Sequence, residues 1–302
     1  MGATVQRTQV PVLDDVETRE DTLRVYYDAM NDVGPCTSVT TIKDLRVDPQ
    51  KDESLQGWRE RFDGKSKYAR PWWNDQMAFK GHRGTLIHFS ILSELGDATG
   101  ETYFHDVGGR DWGYEEYYSE YCLKKWSRKA PSANTDVVPT PQNNEYDGEH
   151  AWDRAVRGMK WAAKSFKEQF IDRGHIDPSQ IHTVEEYVFD EEYGYGGQFD
   201  LLYEAPDGAT VLADLKTSSG IRFGNKLQLA AYKHAIESRG QYSIDRCEIH
   251  RLHPDSESTE ISCSTEWDRT LDGLEHQFLG LCDLAKVTYQ QTLQNAKEEL
   301  LE

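Results

Sequence analysis

The sequence predicts an α/β protein in which a mixed central sheet is flanked by helices, and three observations carry that prediction. Residues 182–190, 196–204 and 210–216 read as short strands separated by turn residues. Apolar residues at helical spacing bracket them, over 149–173 before and 224–238 after. A further hairpin in "DRCEIHRLHPDSESTEISCS" and a long helix over 265–300 complete the series.

Element by element, residues 1–20 show no periodic pattern, and "REDTLRVYYDAMNDVG" reads as a short helix ending at Gly34. "TSVTTIKDL" offers Thr and Ser as N-caps for the next helix. Residues 55–97 read as helical, broken at Pro71; the last part carries Gly84, Leu86, Ile87, His88, Ile91 and Leu95 and ends near Gly96. An aromatic-rich, then loop-like insertion occupies about 97–148, with "APSANTDVVPTPQNNEYDGEH" as the linker. In the helix over 149–173, Trp152, Val156, Met159, Ala163 and Phe166 recur at spacings of three and four. Trp267, Leu271, Leu274, Phe278 and Leu281 form a seam on the last helix, read as packing on the chain's own sheet. The expected organisation is an N-terminal extension (1–35) with a helical N-terminal part, an α/β domain (36–264) and a C-terminal helix (265–302).

Composition narrows the function classes. With 37% hydrophobic residues and a mean hydropathy of −0.77, no run approaches the ~18 apolar residues that suggest a membrane span. The first residues hold no apolar signal region, so a cytoplasmic protein is expected. Five scattered cysteines, Cys36, Cys122, Cys247, Cys263 and Cys282, form no C-x-x-C pair and suggest neither a disulfide framework nor a zinc site. A net charge of −19 argues against a nucleic-acid partner for the surface as a whole. An acid excess of this size resembles the surfaces of halophilic archaea and their viruses, where salt screens long-range repulsion. Acid-free basic islands stand out against it. They are residues 121–135 (Lys124, Lys125, Arg128, Lys129), 154–167 (Arg154, Arg157, Lys160, Lys164, Lys167) and 215–236 (Lys216, Arg222, Lys226, Lys233). Lys160, Lys164, Arg222 and Lys226 are the candidate phosphate contacts, and Trp72, Trp73 and Trp126 are candidates for stacking on a single strand.

The chemistry concentrates in "GGQFDLLYEAPDGATVLADLKTSS", residues 196–219, which sets Asp200 on one strand and Asp214 with Lys216 on the next across an "APDG" turn. Alternate residues of a strand share a face, so Asp214 and Lys216 point the same way. Buried charge is costly unless paired or bound to a metal. Two hard carboxylates side by side invite Mg²⁺ or Mn²⁺, and an adjacent ammonium can orient a nucleophile and neutralise developing charge. The bland alternative is a surface ion pair between Asp214 and Lys216. Glu185 or Glu186 on the preceding strand offers a third carboxylate, and Gln228 and Tyr232 share a face of the following helix. His88 is a lone helical histidine, a type more often a core residue than a ligand.

In order, "SVTTI", "GTLIH", a Glu-bearing strand, "GYGGQFDLL", "LADLKTS" and "LQLAAY" resemble the RecB-like branch of the PD-(D/E)XK nucleases, over about residues 37–236. The group includes phage and archaeal exonucleases and the CRISPR adaptation nucleases. The resemblance implies a restriction-endonuclease-like mixed sheet and a metal-dependent deoxyribonuclease using Mg²⁺ or Mn²⁺. It implies His88, Asp200, Asp214 and Leu215 as metal ligands, Lys216 as the catalytic lysine and Glu185 as the motif glutamate. Gln228 and Tyr232 become the helix pair that supports the site and contacts DNA. The implied activity is that of an exonuclease in recombination, repair or replication; a structure-specific endonuclease and a catalytically silent binding or assembly module are the alternatives. DNA, single-stranded or at duplex ends, is the implied partner, with a second copy of the chain or a helicase or replication protein as further candidates. Two departures stand. The cysteines lack the grouping that holds an iron–sulfur cluster in the CRISPR adaptation nucleases, and no G-x-x-x-x-G-K-[ST] motif is present, so the chain is not itself an ATPase.

Overall fold

The computed structural model describes residues 5–12, 22–46, 53, 55–57, 60, 72–99, 105–106, 111–112 and 151–301. In chain order the elements are β1 (Gln6–Pro11), β2 (Thr22–Asp28), β3 (Val33–Ser38), α1 (Val39–Asp44), α2 (Trp72–Thr99), β4 (His105–Asp106) and β5 (Asp111–Trp112). There follow α3 (Ala151–Phe166), β6 (Ile181–Asp190), β7 (Tyr195–Glu204), β8 (Thr210–Lys216), α4 (Phe223–Ser238), β9 (Arg246–His253), β10 (Ser258–Cys263) and α5 (Leu271–Leu301).

Among the described residues, eight strands form one mixed sheet in the order β1-β2-β3-β7-β8-β9-β10, with β6 also paired to β7, while β4 and β5 pair with each other. The β3–β7 and β8–β9 pairs are parallel and the others antiparallel. β7 has only two hydrogen-bonding edges. β6 runs along one, from Asp190↔Tyr195 to Ile181↔Tyr203. The other is shared: β3 pairs at Tyr195 and Gly196, and β8 pairs at Leu201–Glu204. Between them, β7 is open at residues 197–200, and the sheet forks there.

Alternation divides the apolar residues of the sheet between two cores. Val211, Ala213 and Leu215 of β8 pack with Leu86, Phe89 and Leu92 of α2 and Met159 and Phe166 of α3. Leu212 packs on the other side with Val39 and Ile42 of α1, Leu229 and Ala230 of α4, and Phe278 and Tyr289 of α5. Each such large side chain contributes about 1.5–3 kcal/mol when fully buried. The central strands are therefore covered on both faces, and a charged residue there needs a partner.

The expected strands and the Ser38 N-cap, whose Oγ accepts from Thr41 N–H at 3.1 Å, match the structure closely. The C-terminal helix begins at Leu271 rather than 265: a 3₁₀ turn at Ser264–Glu266 and an extended Trp267 precede it, so Trp267 is not on its seam. The seam of the last helix, with Leu274, Phe278 and the additional Cys282 and Ala285, packs into the second core. The N-terminal part differs. Residues 22–28 and 33–38, expected as a helix and its exit, are strands, and β1 lies within the stretch read as patternless. β2 is flanked by β1 and β3 and buries Leu23, Val25, Tyr26 and Tyr27, so no simple alternation marks it. The basic island at 121–135, Trp126 and nearly all of the 97–148 insertion lie outside the described residues, as do the side chains of Trp72, Trp73, Trp152, Arg154 and Val156.

Candidate active site

The fork in the sheet is where the predicted residues meet. The turn after β7 closes with Ala205 N–H donating to Ala209 O at 2.9 Å, which fixes the register as Leu201↔Ala213. The next facing positions are Asp200 and Asp214, where the β7–β8 ladder stops. In its place Leu215 N–H donates to Asp200 Oδ2 at 2.6 Å. Asp214 is buried, and Lys216 Nζ donates to its Oδ1 at 2.6 Å. Asp214 Oδ2 lies 2.5 Å from the same Nζ but has no hydrogen-bond partner.

Two further elements bring polar side chains to this point. From α2, His88 Nδ1 stands 3.6 Å from Asp200 Oδ2, and the ring also hydrogen-bonds the Leu215 backbone. Gly84, one turn earlier, has Thr217 Oγ1 only 3.0 Å from where a Cβ would sit, so a glycine lets α2 approach the end of β8. From β6, the register places Glu185 opposite Asp200. Its φ of +53° is a left-handed conformation rare for a residue with a Cβ, and such strain is held only where the surroundings over-determine it. Gln198 Nε2 donates to the Glu185 carbonyl at 3.0 Å. His88, Glu185 and Asp200 each present a ligand atom within 4.8 Å of the others. Of the two glutamates, Glu185 joins this group, whereas Glu186 pairs in the ladder with Phe199.

The electrostatics are those of crowded carboxylates in a poorly solvated place. Burial, with the Asp200 charge adding to it, raises Asp214 to about 6 despite Lys216. Burial also raises Asp200, against the pull of Lys216 and the Leu215 N–H. For Lys216, burial favours the neutral amine, but Asp214, then Asp200, outweigh it and raise the pKa, so an ammonium is held. Burial and the Lys216 charge lower His88 to about 4, leaving a neutral imidazole able to bind a metal.

Gln228 and Tyr232 lie on one face of α4, with Gln228 Nε2 donating to Tyr232 Oη at 3.1 Å. The Tyr232 ring rests on the open stretch of β7. A Cβ on Gly197 would meet Tyr232 Cε1 at 2.5 Å, which accounts for the third glycine of "GYGGQFD". Burial holds the Tyr232 phenol well above its ordinary pKa, so it remains a neutral donor.

The candidate phosphate contacts are more dispersed. Arg222 is exposed at the start of α4, and Lys226 Nζ lies 5.2 Å from the Trp267 ring centroid. Lys160 is exposed on α3, and Lys164 stands 3.6 Å from Glu168. Lys167 and Lys233 pair with Asp172 and Glu237, so part of the two described islands is engaged within the chain. Gln198 was not singled out in the sequence; its role depends on the backbone turn at Glu185, which no spacing reveals.

No family model matches the chain, and no curated protein matches it. Among solved structures, the chain is similar to SSO0001, with a TM-score of 0.29 and 17% identity, covering 59% of this chain and 88% of that one. It is also similar to a protein from Eubacterium rectale described as a candidate exonuclease, with a TM-score of 0.33 and 13% identity, covering 63% of this chain and 66% of that one. Both likenesses are distant.

Proposed function

We propose that this protein is a Mg²⁺- or Mn²⁺-dependent deoxyribonuclease that hydrolyses phosphodiester bonds, acting from DNA ends. The observation that supports it best is convergence. His88 from α2, Glu185 from β6, Asp200 from β7, and Asp214 and Lys216 from β8 meet where the sheet forks.

The donor set fits a hard divalent cation: the Glu185 and Asp200 carboxylates and the neutral His88 imidazole present ligand atoms within 4.8 Å of one another, and the buried Asp214 carboxylate faces Asp200 from the next strand. His88, Glu185, Asp200 and Asp214 would hold it, with the Leu215 backbone alongside. When bound, such an ion supplies Lewis-acid charge and lowers the pKa of water. The chain's own groups do the rest. Lys216, kept as an ammonium by Asp214 and Asp200, cannot serve as a base at neutral pH; it orients the attacking water and neutralises charge gathering on the phosphate. Tyr232, buried against the open backbone of β7, fixes Gln228, the more exposed member of the pair, which meets a phosphate or sugar. Arg222 and Lys226, near the N-terminus of α4, extend positive charge from that pair along a strand of DNA.

The test is incubation of the purified protein with end-labelled linear single- and double-stranded DNA and with a closed circle, in Mg²⁺ or Mn²⁺ at moderate and molar KCl. Metal-dependent shortening of linear DNA only, lost in Lys216→Ala, is the expected result. Cutting of the circle assigns an endonuclease instead. DNA binding with no cleavage at any salt replaces the enzyme with a silent binding module.

A further inference from the structure

On the α2/α3 side of the sheet, around β9, which pairs directly with β8, three further ligand-bearing side chains converge. Glu248 and His250 alternate along β9, so both face the first core, where His250 is fully buried and Glu248 is 2% exposed. His175 arrives from the segment after α3. That segment is rigidly built. α3 closes in a π-helical turn (Lys167–Ile171), Asp172 N–H donates to Lys167 O at 2.8 Å, and Ile176 N–H donates to Phe170 O at 2.7 Å. Such turns often accompany functional sites. This one sets the Phe170 ring on His250 at a centroid distance of 4.5 Å.

The hydrogen bonding at the centre is over-subscribed. Glu248 Oε2 faces His175 Nε2 at 2.8 Å, His250 Nε2 at 2.8 Å and Tyr203 Oη at 2.9 Å. One carboxylate oxygen offers about two lone-pair directions, so three polar atoms crowd it, and the tautomer of each imidazole decides whether its Nε2 presents a proton or a lone pair. Glu248 Oε1 is already taken by Arg246 Nε at 3.0 Å, and Arg246 itself bonds Asp207 at 2.5 Å. His250 Nδ1 has no partner, so the ring's polar engagement is through Nε2 alone.

We propose that His175, Glu248 and His250 form a Zn²⁺ site that staples β9 to the segment following α3. Two imidazoles and one carboxylate are a donor set suited to zinc rather than to Mg²⁺, which prefers oxygen ligands. The three ligand atoms lie within 4.8 Å of one another. Tetrahedral bonds of about 2.0–2.1 Å set ligand atoms about 3.3 Å apart, so each 2.8 Å contact opens by about half an ångström. In the Nδ1–H tautomer each imidazole turns a lone pair at Nε2 toward the ion. Tyr203 stays a phenol, donating to the carboxylate, and Arg246 fixes the carboxylate plane from behind, the outer-shell support that zinc sites use. His175 is 28% exposed, which gives the ion its way in, and the fourth position is left to water.

The experiment uses the full chain stripped of metal, with His88→Ala and Asp200→Asn silencing the other cluster. Zn²⁺ binding is followed by calorimetry, and Co²⁺ is the spectroscopic probe. The expected result is one tight Zn²⁺ per chain, tetrahedral Co²⁺ absorption bands, and a rise in melting temperature with Zn²⁺ but not with Mg²⁺. His175→Ala, at the exposed ligand, removes all three; Arg246→Gln weakens binding by about 10–100-fold. The same titration on the unsubstituted chain under saturating Mg²⁺ guards against misfolding of the variants. Zn²⁺ bound no more tightly than Mg²⁺, or tight Zn²⁺ that survives His175→Ala, overturns the assignment. No cleavage is measured, so the outcome is independent of the nuclease reading.

Discussion

The two clusters treat a buried carboxylate in opposite ways. At the fork, Asp200 and Asp214 are pushed up by burial, with Asp214 at about 6, and Asp214 keeps an oxygen without a hydrogen bond. At the second cluster burial would also raise Glu248, but hydrogen bonds from His175 and His250 hold it well below the usual carboxylate range. The first gathers three carboxylates around one ammonium, an excess of hard negative oxygen. The second is nitrogen-rich and already neutralises its one carboxylate. The sheet explains the difference. At the fork the ladder stops and three strands present acids to one point, whereas Glu248 sits within an unbroken parallel ladder, opposite Ala213. The expected metals differ accordingly, Mg²⁺ or Mn²⁺ at one and Zn²⁺ at the other.

The largest effect is expected from Lys216→Ala. Removing a preorganised charge from a developing anion lowers turnover by about 10²–10³-fold, measured on end-labelled DNA at saturating metal. DNA binding by gel shift is expected to stay largely intact. Full activity in this variant breaks the contrast, because the first cluster would then be a structural ion pair. Next comes stability. Truncating one partner of a buried charged network leaves the others uncompensated, at a cost of about 3–5 kcal/mol. Glu248→Ala is expected to lose that much in urea denaturation, since it strands Arg246, His175 and His250. A loss under about 1 kcal/mol would mean that this buried network contributes no more than an exposed ion pair does.

Titration sharpens the comparison further. Protons and metal compete for Asp214, so apparent Mg²⁺ affinity is expected to fall about tenfold per pH unit below about 6 and to level off above it. Calorimetric titrations on either side of that value check this, and a flat profile removes Asp214 from the ligand set. Glu248 has the opposite sign of shift. Its folded pKa is depressed, so its contribution to stability is present above the ordinary carboxylate pKa and is lost only as pH falls toward the depressed value. Acid is expected to weaken the fork's hold on metal well before it releases the Glu248 carboxylate.

How much of this was legible in the sequence follows from what each signal depends on. The β7–β8 hairpin was readable because its turn chemistry and the D-x-K spacing are local. His88 was found only through its place in an ordered series, not through any feature of α2. β2 was misread because a strand buried on both faces loses its alternation. Glu248 and His250 alternate in "CEIHRLH", a visible hint of a shared face, yet their third partner, His175, lies 73 residues from Glu248. A search for paired cysteines could not find a site built from histidines and a glutamate. The Glu185 backbone was the least accessible, since φ is set by the strands around it rather than by its own residue type.

That backbone carries the smallest and most specific expectation. Glu185 joins the acidic group only while its peptide is turned into the left-handed region, at a cost of about 1–3 kcal/mol. The Gln198 side chain offsets part of that by donating to the Glu185 carbonyl, and it does so from β7, the strand that also carries Asp200. Gln198→Ala removes a net hydrogen bond worth about 0.5–1.5 kcal/mol and leaves the carboxylates in place. The expected result is a several-fold rise in the Mg²⁺ concentration needed for half-maximal cleavage, with little change in the rate at saturating metal. Gln198→Glu, which keeps the length but loses the donor, is expected to do the same or worse. A loss in rate at saturating Mg²⁺ with an unchanged metal requirement would instead place Gln198 against the DNA. The first result identifies Gln198 as what holds Glu185 toward Asp200, and the second breaks that link, on which the difference between the two clusters depends.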